Sequence, residues 1–409
     1  MRRQALIAAT AATFIAGGAS AFAQELSSSQ IERGRYLAIA SNCVSCHTDV
    51  DNGGIPWAGG REMATPFGVI TTPNITFDDD TGIGRYSRDD FWRALHEGVR
   101  RDGAQLYPAF PYPYYTRMPR EDVDAIYDYL QTIEPIRSDV VPEAELAAPF
   151  RVREAVRGWK LLNFDQGVFE PDPTKSDDWN RGAYLVRGPG HCAACHTEKT
   201  LTGGDAAGED LRGGVLENWH APNIRGGQDG GISHWTEDDI VDYLATGRAE
   251  HTMAMSRMGE VVEFSTQHLR EDDLRAIAVY LKDLDDEERQ AEAGPDDDAM
   301  RVGAWLYFDN CAACHRSDGS GVDHIFARLD GSNKVNSDDP TTIIRIVLEG
   351  ARAHPTERWP HGLTMPAFSW KLTDEQIADV LNYVRHAWGN NARLIDPSEV
   401  ADLREYLAE

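Results

Sequence analysis

Cys192-Ala193-Ala194-Cys195-His196 is one of three copies of a five-residue pattern. Cys43-Val44-Ser45-Cys46-His47 precedes it and Cys311-Ala312-Ala313-Cys314-His315 follows it. Together they use all six cysteines of the chain. On a helix, positions i, i+3 and i+4 share a face, so each copy sets two thiols beside an imidazole. Two thiols at that spacing can form thioether bonds to the vinyl groups of a haem, with the adjacent histidine as proximal iron ligand. Half a zinc site or a redox disulfide needs only the cysteine pair, yet histidine follows it three times out of three. The pattern predicts three covalently bound haem c groups, with iron on His47, His196 and His315.

More than the motif repeats. A glycine and an aromatic precede each copy: Gly34/Tyr36, Gly182/Tyr184 and Gly303/Trp305. A closing amphipathic helix is predicted after each, through Val123-Ile126-Tyr129-Leu130, Leu274-Ile277-Tyr280-Leu281 and Ile377-Val380-Tyr383-Val384, whose spacing makes one apolar stripe. The glycine would let that last helix cross the first closely. A middle helix repeats as Phe91-Leu95-Gly98, Ile240-Leu244-Gly247 and Ile344-Val347-Gly350. The first two open at caps, Ser87 with Asp90 and Thr236 with Asp239; the third opens at Asp339-Pro340. Domains are therefore expected over residues 25–135, 177–288 and 298–392, with a tail over 393–409. Residues 136–176 read as a strap packed between domains through Gly158-Trp159-Lys160-Leu161-Leu162.

Met1-Arg2-Arg3, an apolar run from Ala5 to Ala16 and Ala21-Phe22-Ala23 describe a cleavable export signal over residues 1–23, which implies a periplasmic protein. No later stretch approaches the ~20 apolar residues that a membrane span needs. The 409 residues carry a formal charge of −27, which repels nucleic acid and anionic headgroups and favours a basic docking face on a partner.

Electron carriers usually close haem iron with methionine. Met365, in Met365-Pro366-Ala367-Phe368, is the only methionine after Cys311 and is the third candidate. The second domain offers Met253, Met255 and Met258. The first offers Met63 and Met118, but Met118 sits where the other copies place Leu269 and Leu372, so packing and ligation both fit it. Tyr107-Pro108-Ala109-Phe110 fills the loop that holds Met365 in the third copy. An unusual ligand or an open first site therefore stays open, with His96 a remote alternative.

The chain resembles the three-haem cytochrome c subunits of bacterial membrane-associated alcohol, aldehyde and gluconate dehydrogenases. The likeness rests on Thr72-Pro73-Asn74-Ile75-Thr76, Thr81-Gly82-Ile83-Gly84-Arg85, Ala94 to Arg100, the strap Gly158 to Leu162, Asn180 to Tyr184, Gly259-Glu260-Val261-Val262 after Met258, and Met365 to Phe368. It implies an all-α fold of three tandem class I cytochrome c-like domains. It also implies attachment at Cys43, Cys46, Cys192, Cys195, Cys311 and Cys314, and it selects Met258 beside Met365 as distal ligands. Phe110 stands where many relatives have methionine, and the tail from Asn390 to Glu409 is shorter than in membrane-bound relatives. The implied partners are a catalytic dehydrogenase subunit and ubiquinone or another carrier as acceptor, with no nucleic acid and at most peripheral membrane contact. Such a subunit has no substrate chemistry of its own. The competing expectation is a multihaem oxidoreductase acting on a small molecule at an open first haem.

Overall fold

The computed structural model describes residues 27–140, 144–148, 150–228, 231–250, 252–286 and 293–408; the segment read as an export signal lies outside them. The first repeat contains α1 (Ser28–Ala40), α2 (Cys43–Cys46), α3 (Arg88–Glu97), α4 (Tyr112–Tyr115) and α5 (Arg120–Leu130). The strap holds α6 (Ala155–Asn163). The second repeat contains α7 (Asp177–Arg187), α8 (Ala193–His196), α9 (Glu237–Thr246), α10 (Ser256–Phe264) and α11 (Glu271–Lys282). The third contains α12 (Asp297–Asn310), α13 (Ala312–His315), α14 (Thr341–Glu349), α15 (Asp374–Val384) and α16 (Pro397–Ala408).

The first and closing helices of each repeat cross at the repeated glycine. A Cβ at Gly34, Gly182 or Gly303 would lie 1.8 Å from Ala125 O, 1.9 Å from Ala276 O or 2.4 Å from Asp379 O. Only glycine allows that approach. The closing stripes are buried at Val123, Ile126 and Leu130, at Leu274, Ile277, Tyr280 and Leu281, and at Ile377, Val380 and Val384. Capping boxes start α3 (Ser87 with Asp90), α9 (Thr236 with Asp239) and α15 (Thr373 with Gln376). Gly98 and Gly247 end α3 and α9 in the left-handed region, where a Cβ is penalised.

The all-α expectation does not hold. Three small antiparallel sheets are present: β1 (Glu62–Thr65), β2 (Gly68–Thr71) and β3 (Ala144–Leu146) in one, β4 (Gly213–Leu216) with β5 (Trp219–Pro222), and β6 (Ala351–Arg352) with β7 (Thr364–Met365). Their strands are two to four residues long, too short for alternation to stand out from a loop. In the first sheet β3 comes from the strap and pairs with β2. The strap is also tied down in α6, where Lys160 Nζ donates to Glu97 O, Gly98 O and Gln105 Oε1 and Trp159 Nε1 donates to Thr202 O. Leu161 and Leu162, expected to pack, point to solvent.

The first two repeats share one continuous hydrophobic core, while the third has its own. A reciprocal exchange joins the pair. Tyr36 on α1 donates to Asp273 on α11, and Tyr184 on α7 donates to Asp122 on α5. Each aspartate is also gripped within its own repeat, Asp122 by Arg33 and Asp273 by Arg181. Burial opposes ionisation of Asp273, but its bonds from Arg181, Tyr36 and Arg270 outweigh that and hold its carboxyl at about 2. A depressed carboxylate contributes stability that is full above its unfolded pKa of about 3.9 and is lost as pH falls through its folded value. The pairing of the first two repeats should therefore weaken between about pH 4 and 2, by on the order of 1–2 kcal/mol after solvent screening. Asp273→Asn should flatten that part of an acid-unfolding curve followed by circular dichroism; an unchanged acid limb would refute the assignment.

One short helix then links all three repeats. On α10, Glu260 faces the first repeat, where it pairs with Arg61 and the helix packs on α2. Met258 and Val262, one turn apart, share another face, and Val262 is buried beside Gly247 at the end of α9. Gly259 and Glu263 form a third face, against His354 of the third repeat, whose Nδ1 lies 2.8 Å from Glu263 Oε2.

Candidate haem sites

Each motif forms one helical turn that brings its histidine back over its first cysteine. The backbone N–H of His47 donates to Cys43 O, that of His196 to Cys192 O and that of His315 to Cys311 O, at 3.0, 2.9 and 3.0 Å. All three rings are then held in the same way, with Nδ1 within hydrogen-bond distance of a backbone carbonyl: His47 with Pro73 O at 2.7 Å, His196 with Pro222 O at 2.7 Å and His315 with Ala327 O at 2.8 Å. A carbonyl can only accept, so Nδ1 carries the proton and Nε2 presents its lone pair. Such an orienting carbonyl is the usual companion of a metal-binding imidazole. Burial lowers the pKa of all three rings, that of His196 to about 4, which keeps them neutral and competent to ligate.

Sequence reasoning missed the role of these carbonyls. The signal was present: Pro73-Asn74-Ile75 recurs as Pro222-Asn223-Ile224. In both, the asparagine side chain accepts from a backbone N–H two residues on, at Thr76 and Arg225, a turn that sets the preceding carbonyl.

The thiols are not poised for thiolate chemistry. Burial pushes Cys43 and Cys192 up to about 12 and Cys311 to about 11. Cys195 rises to about 11, first by burial and also through Cys46 and Glu217, against the pull of Lys199 and Arg257. The first two turns thus sense each other. Tyr115 of the first repeat packs edge-on against His191, which precedes Cys192, at 5.4 Å between ring centroids. Lys199 Nζ donates to Ala193 O on α8 and to the Tyr114 hydroxyl.

A chain of buried charges runs beside this pair, and nothing in the sequence flagged it. Arg61 donates to Ser45 O at 2.9 Å and to Glu260 Oε2 at 2.7 Å. Arg257 bridges Glu260 Oε1 at 2.7 Å and Glu217 Oε2 at 2.6 Å. The Arg61 and Glu260 side chains are only 8% and 13% exposed. Lys334 is a second surprise: it reaches from the third repeat to Thr252 Oγ1 and Met253 O of the second.

The methionines divide by register. After the glycine that ends each middle helix, Val99 bridges Gln105, Arg248 bridges Met253 and Ala351 pairs with Met365. Five positions beyond these bridge residues stand Phe110, Met258 and Trp370. Met258 and Met365 keep part of their side chains accessible, whereas Met253 and Met118 are enclosed. Met118 lies wholly in the core, 4.0 Å from Ser41 Oγ. His96 stacks on Trp92, with Nδ1 3.1 Å from Thr116 O.

Two thiols and a neutral, oriented imidazole form the set that attaches and ligates haem c, and the protein that carries it three times is a multihaem c-type cytochrome. The sequence profile of cytochrome c matches residues 31–134, 180–285 and 301–388, and the chain belongs to that family. It carries three haem c groups. It is similar to the cytochrome c subunit of alcohol dehydrogenase (quinone) from Gluconobacter oxydans, 38% identical over 94% of this chain and 84% of the relative. It is also similar to the gluconate 2-dehydrogenase cytochrome c subunit of Pantoea cypripedii, 40% identical over 92% and 89%. The fructose dehydrogenase cytochrome subunit of Gluconobacter japonicus is 36% identical over 91% and 82%. No helix among the described residues is long and apolar enough to cross a membrane.

Proposed function

We propose that this chain is the electron-transfer subunit of a periplasmic dehydrogenase complex that oxidises an alcohol, a sugar or a sugar acid and delivers electrons towards a quinone or another respiratory carrier. The observation that carries this reading is the threefold turn with its carbonyl-held imidazole. Haem c bound there supplies one-electron chemistry. The chain's own part is to anchor it at Cys43/Cys46, Cys192/Cys195 and Cys311/Cys314, to ligate iron through His47, His196 and His315, and to exclude water. The test is purification of the tagged chain from its native host while haem absorption is followed as alcohols, aldehydes, sugars and sugar acids are added. A large dehydrogenase subunit that co-purifies, with haems reduced by one substrate class, is the expected result. A chain that turns over substrate alone, or that stays oxidised without a partner, would end the reading.

In this reading Met258 and Met365 are the distal ligands of the second and third haems, and Met118 is a packing residue. Met258→Ala and Met365→Ala should each abolish the methionine-to-iron charge-transfer absorption of one haem, while Met118→Leu should leave the spectrum intact. Loss of that absorption in Met118→Leu would restore Met118 as a ligand.

A second reading, direct chemistry at an open first iron, is favoured by one observation. Gln105 and Phe110 occupy the first-repeat positions where the second repeat has Met253 and Met258. Rapid cyanide or carbon monoxide binding at one haem in three supports it, and inertness of all three removes it.

A further inference from the structure

Among the described residues, the face through which the first two repeats pair has no counterpart contact in the third. Tyr36 and Tyr184 on that face are engaged by the sibling repeat, and Arg33 and Arg181 by their own aspartates. The equivalent residues of α12 are Trp305 and Val302, and Gln376 stands in the place of Asp122 and Asp273. Trp305 and Phe308 are 73% and 72% exposed, on the same helix as exposed Val302; Trp370 is exposed too, and its neighbour Lys371 bonds Asn310 at the end of that helix. This apolar strip leads to the third attachment turn: Phe308 lines a surface depression with Ala312, Ala313 and Arg316, and Cys314 is exposed. By contrast, Cys46 and Cys195 lie where the first two repeats meet.

We propose that the α12 strip, centred on Trp305 and Phe308, is the surface on which the catalytic dehydrogenase subunit docks, at the thiols that anchor the third haem. This rests on the function proposed above. Three observations choose the occupant. The same helix face is already an interface in this chain, between the first two repeats. The charges at its edge are paired among themselves, Arg301 with Asp298 and Lys371 with Asp309, leaving an apolar centre in a neutral polar rim, as in protein–protein interfaces. The overall charge of −27 disfavours an anionic membrane or a second copy of the chain. A permanently bound subunit is also the partner that calls for large exposed aromatics, since lasting interfaces are the more hydrophobic ones.

The test uses the full haem-loaded chain and the large subunit that co-purifies with it. Trp305→Glu/Phe308→Glu should weaken association about 100-fold, the effect of losing two aromatic anchors, and should slow substrate-driven haem reduction in step. Reduction by dithionite should still give three haems, which shows that the third repeat is folded and loaded. Leu161→Glu/Leu162→Glu, on the exposed apolar pair of the strap, should bind like the parent. The proposal is overturned if the α12 variant binds as tightly as the parent, or if the strap variant is the one that loses binding. It is equally overturned if the α12 substitutions instead abolish binding to phosphatidylethanolamine/phosphatidylglycerol vesicles or dissolve a dimer of the chain. A parent chain that holds no dehydrogenase removes both the proposed function and this assignment, whereas a parent that binds it elsewhere removes this assignment alone.

Discussion

Gly182→Val is expected to leave the second repeat unable to close. At this crossing a Cβ would sit 1.9 Å from Ala276 O and 2.8 Å from Tyr280 Cβ, so the collision is with backbone and no rotamer relieves it. α11 would have to move away from α7, and α11 also carries Asp273 and the buried Leu274, Ile277 and Leu281. The damage then spreads to the core shared with the first repeat. Overpacking usually costs 1–3 kcal/mol; a backbone clash within a shared core should exceed that, at about 4 kcal/mol, a large share of the 5–15 kcal/mol that holds a domain. Haem content per chain and the thermal midpoint should both fall. Gly158→Ala is the control, since nothing lies within 4 Å of a Cβ there and the exchange should stabilise α6 slightly. Full haem content and an unchanged midpoint in Gly182→Val would contradict the crossing.

Glu260→Gln should have the next largest effect. Arg61 and Arg257 both converge on this carboxylate; glutamine keeps one acceptor oxygen but no negative charge, so the buried Arg61 guanidinium loses its counter-ion. Breaking one side of a buried pair costs about 3–5 kcal/mol, mostly from the charge left behind, whereas replacing both partners with apolar groups is often neutral. Denaturant unfolding of Glu260→Gln and of the double variant Arg61→Met/Glu260→Leu separates the two terms. The double variant should recover most of the loss. Equal loss in both would show that the pair holds α10 against α2 directly.

The attachment turns, crossing glycines and capped middle helices were legible in the sequence because each is a local pattern with a mechanical reason. Gly34, Gly182 and Gly303 announced themselves through the aromatics beside them, and Ser87/Asp90 and Thr236/Asp239 through their spacing. The sheets were not legible, since β6 and β7 are two residues each and form only because the loop folds back past Gly350. Nor was the charge chain, because Arg61, Glu217 and the Arg257–Glu260 pair of α10 are far apart in sequence and gain meaning only when α10 is laid on α2. The apolar strip was half visible. Trp305 stands in register with Tyr36 and Tyr184, and only the arrangement of the repeats shows that it faces outward.

The exchange of Tyr36 to Asp273 and Tyr184 to Asp122 is self-complementary, so these contacts do not distinguish a partner in the same chain from one in another. Proximity enforces the choice: the strap, pinned by Lys160 to the first repeat and by Trp159 to the second, keeps the two halves at high effective concentration. A chain with those anchors removed and the strap shortened would have its lowest-energy pairing between molecules. It would assemble as a domain-swapped dimer that keeps the contacts between the first two repeats.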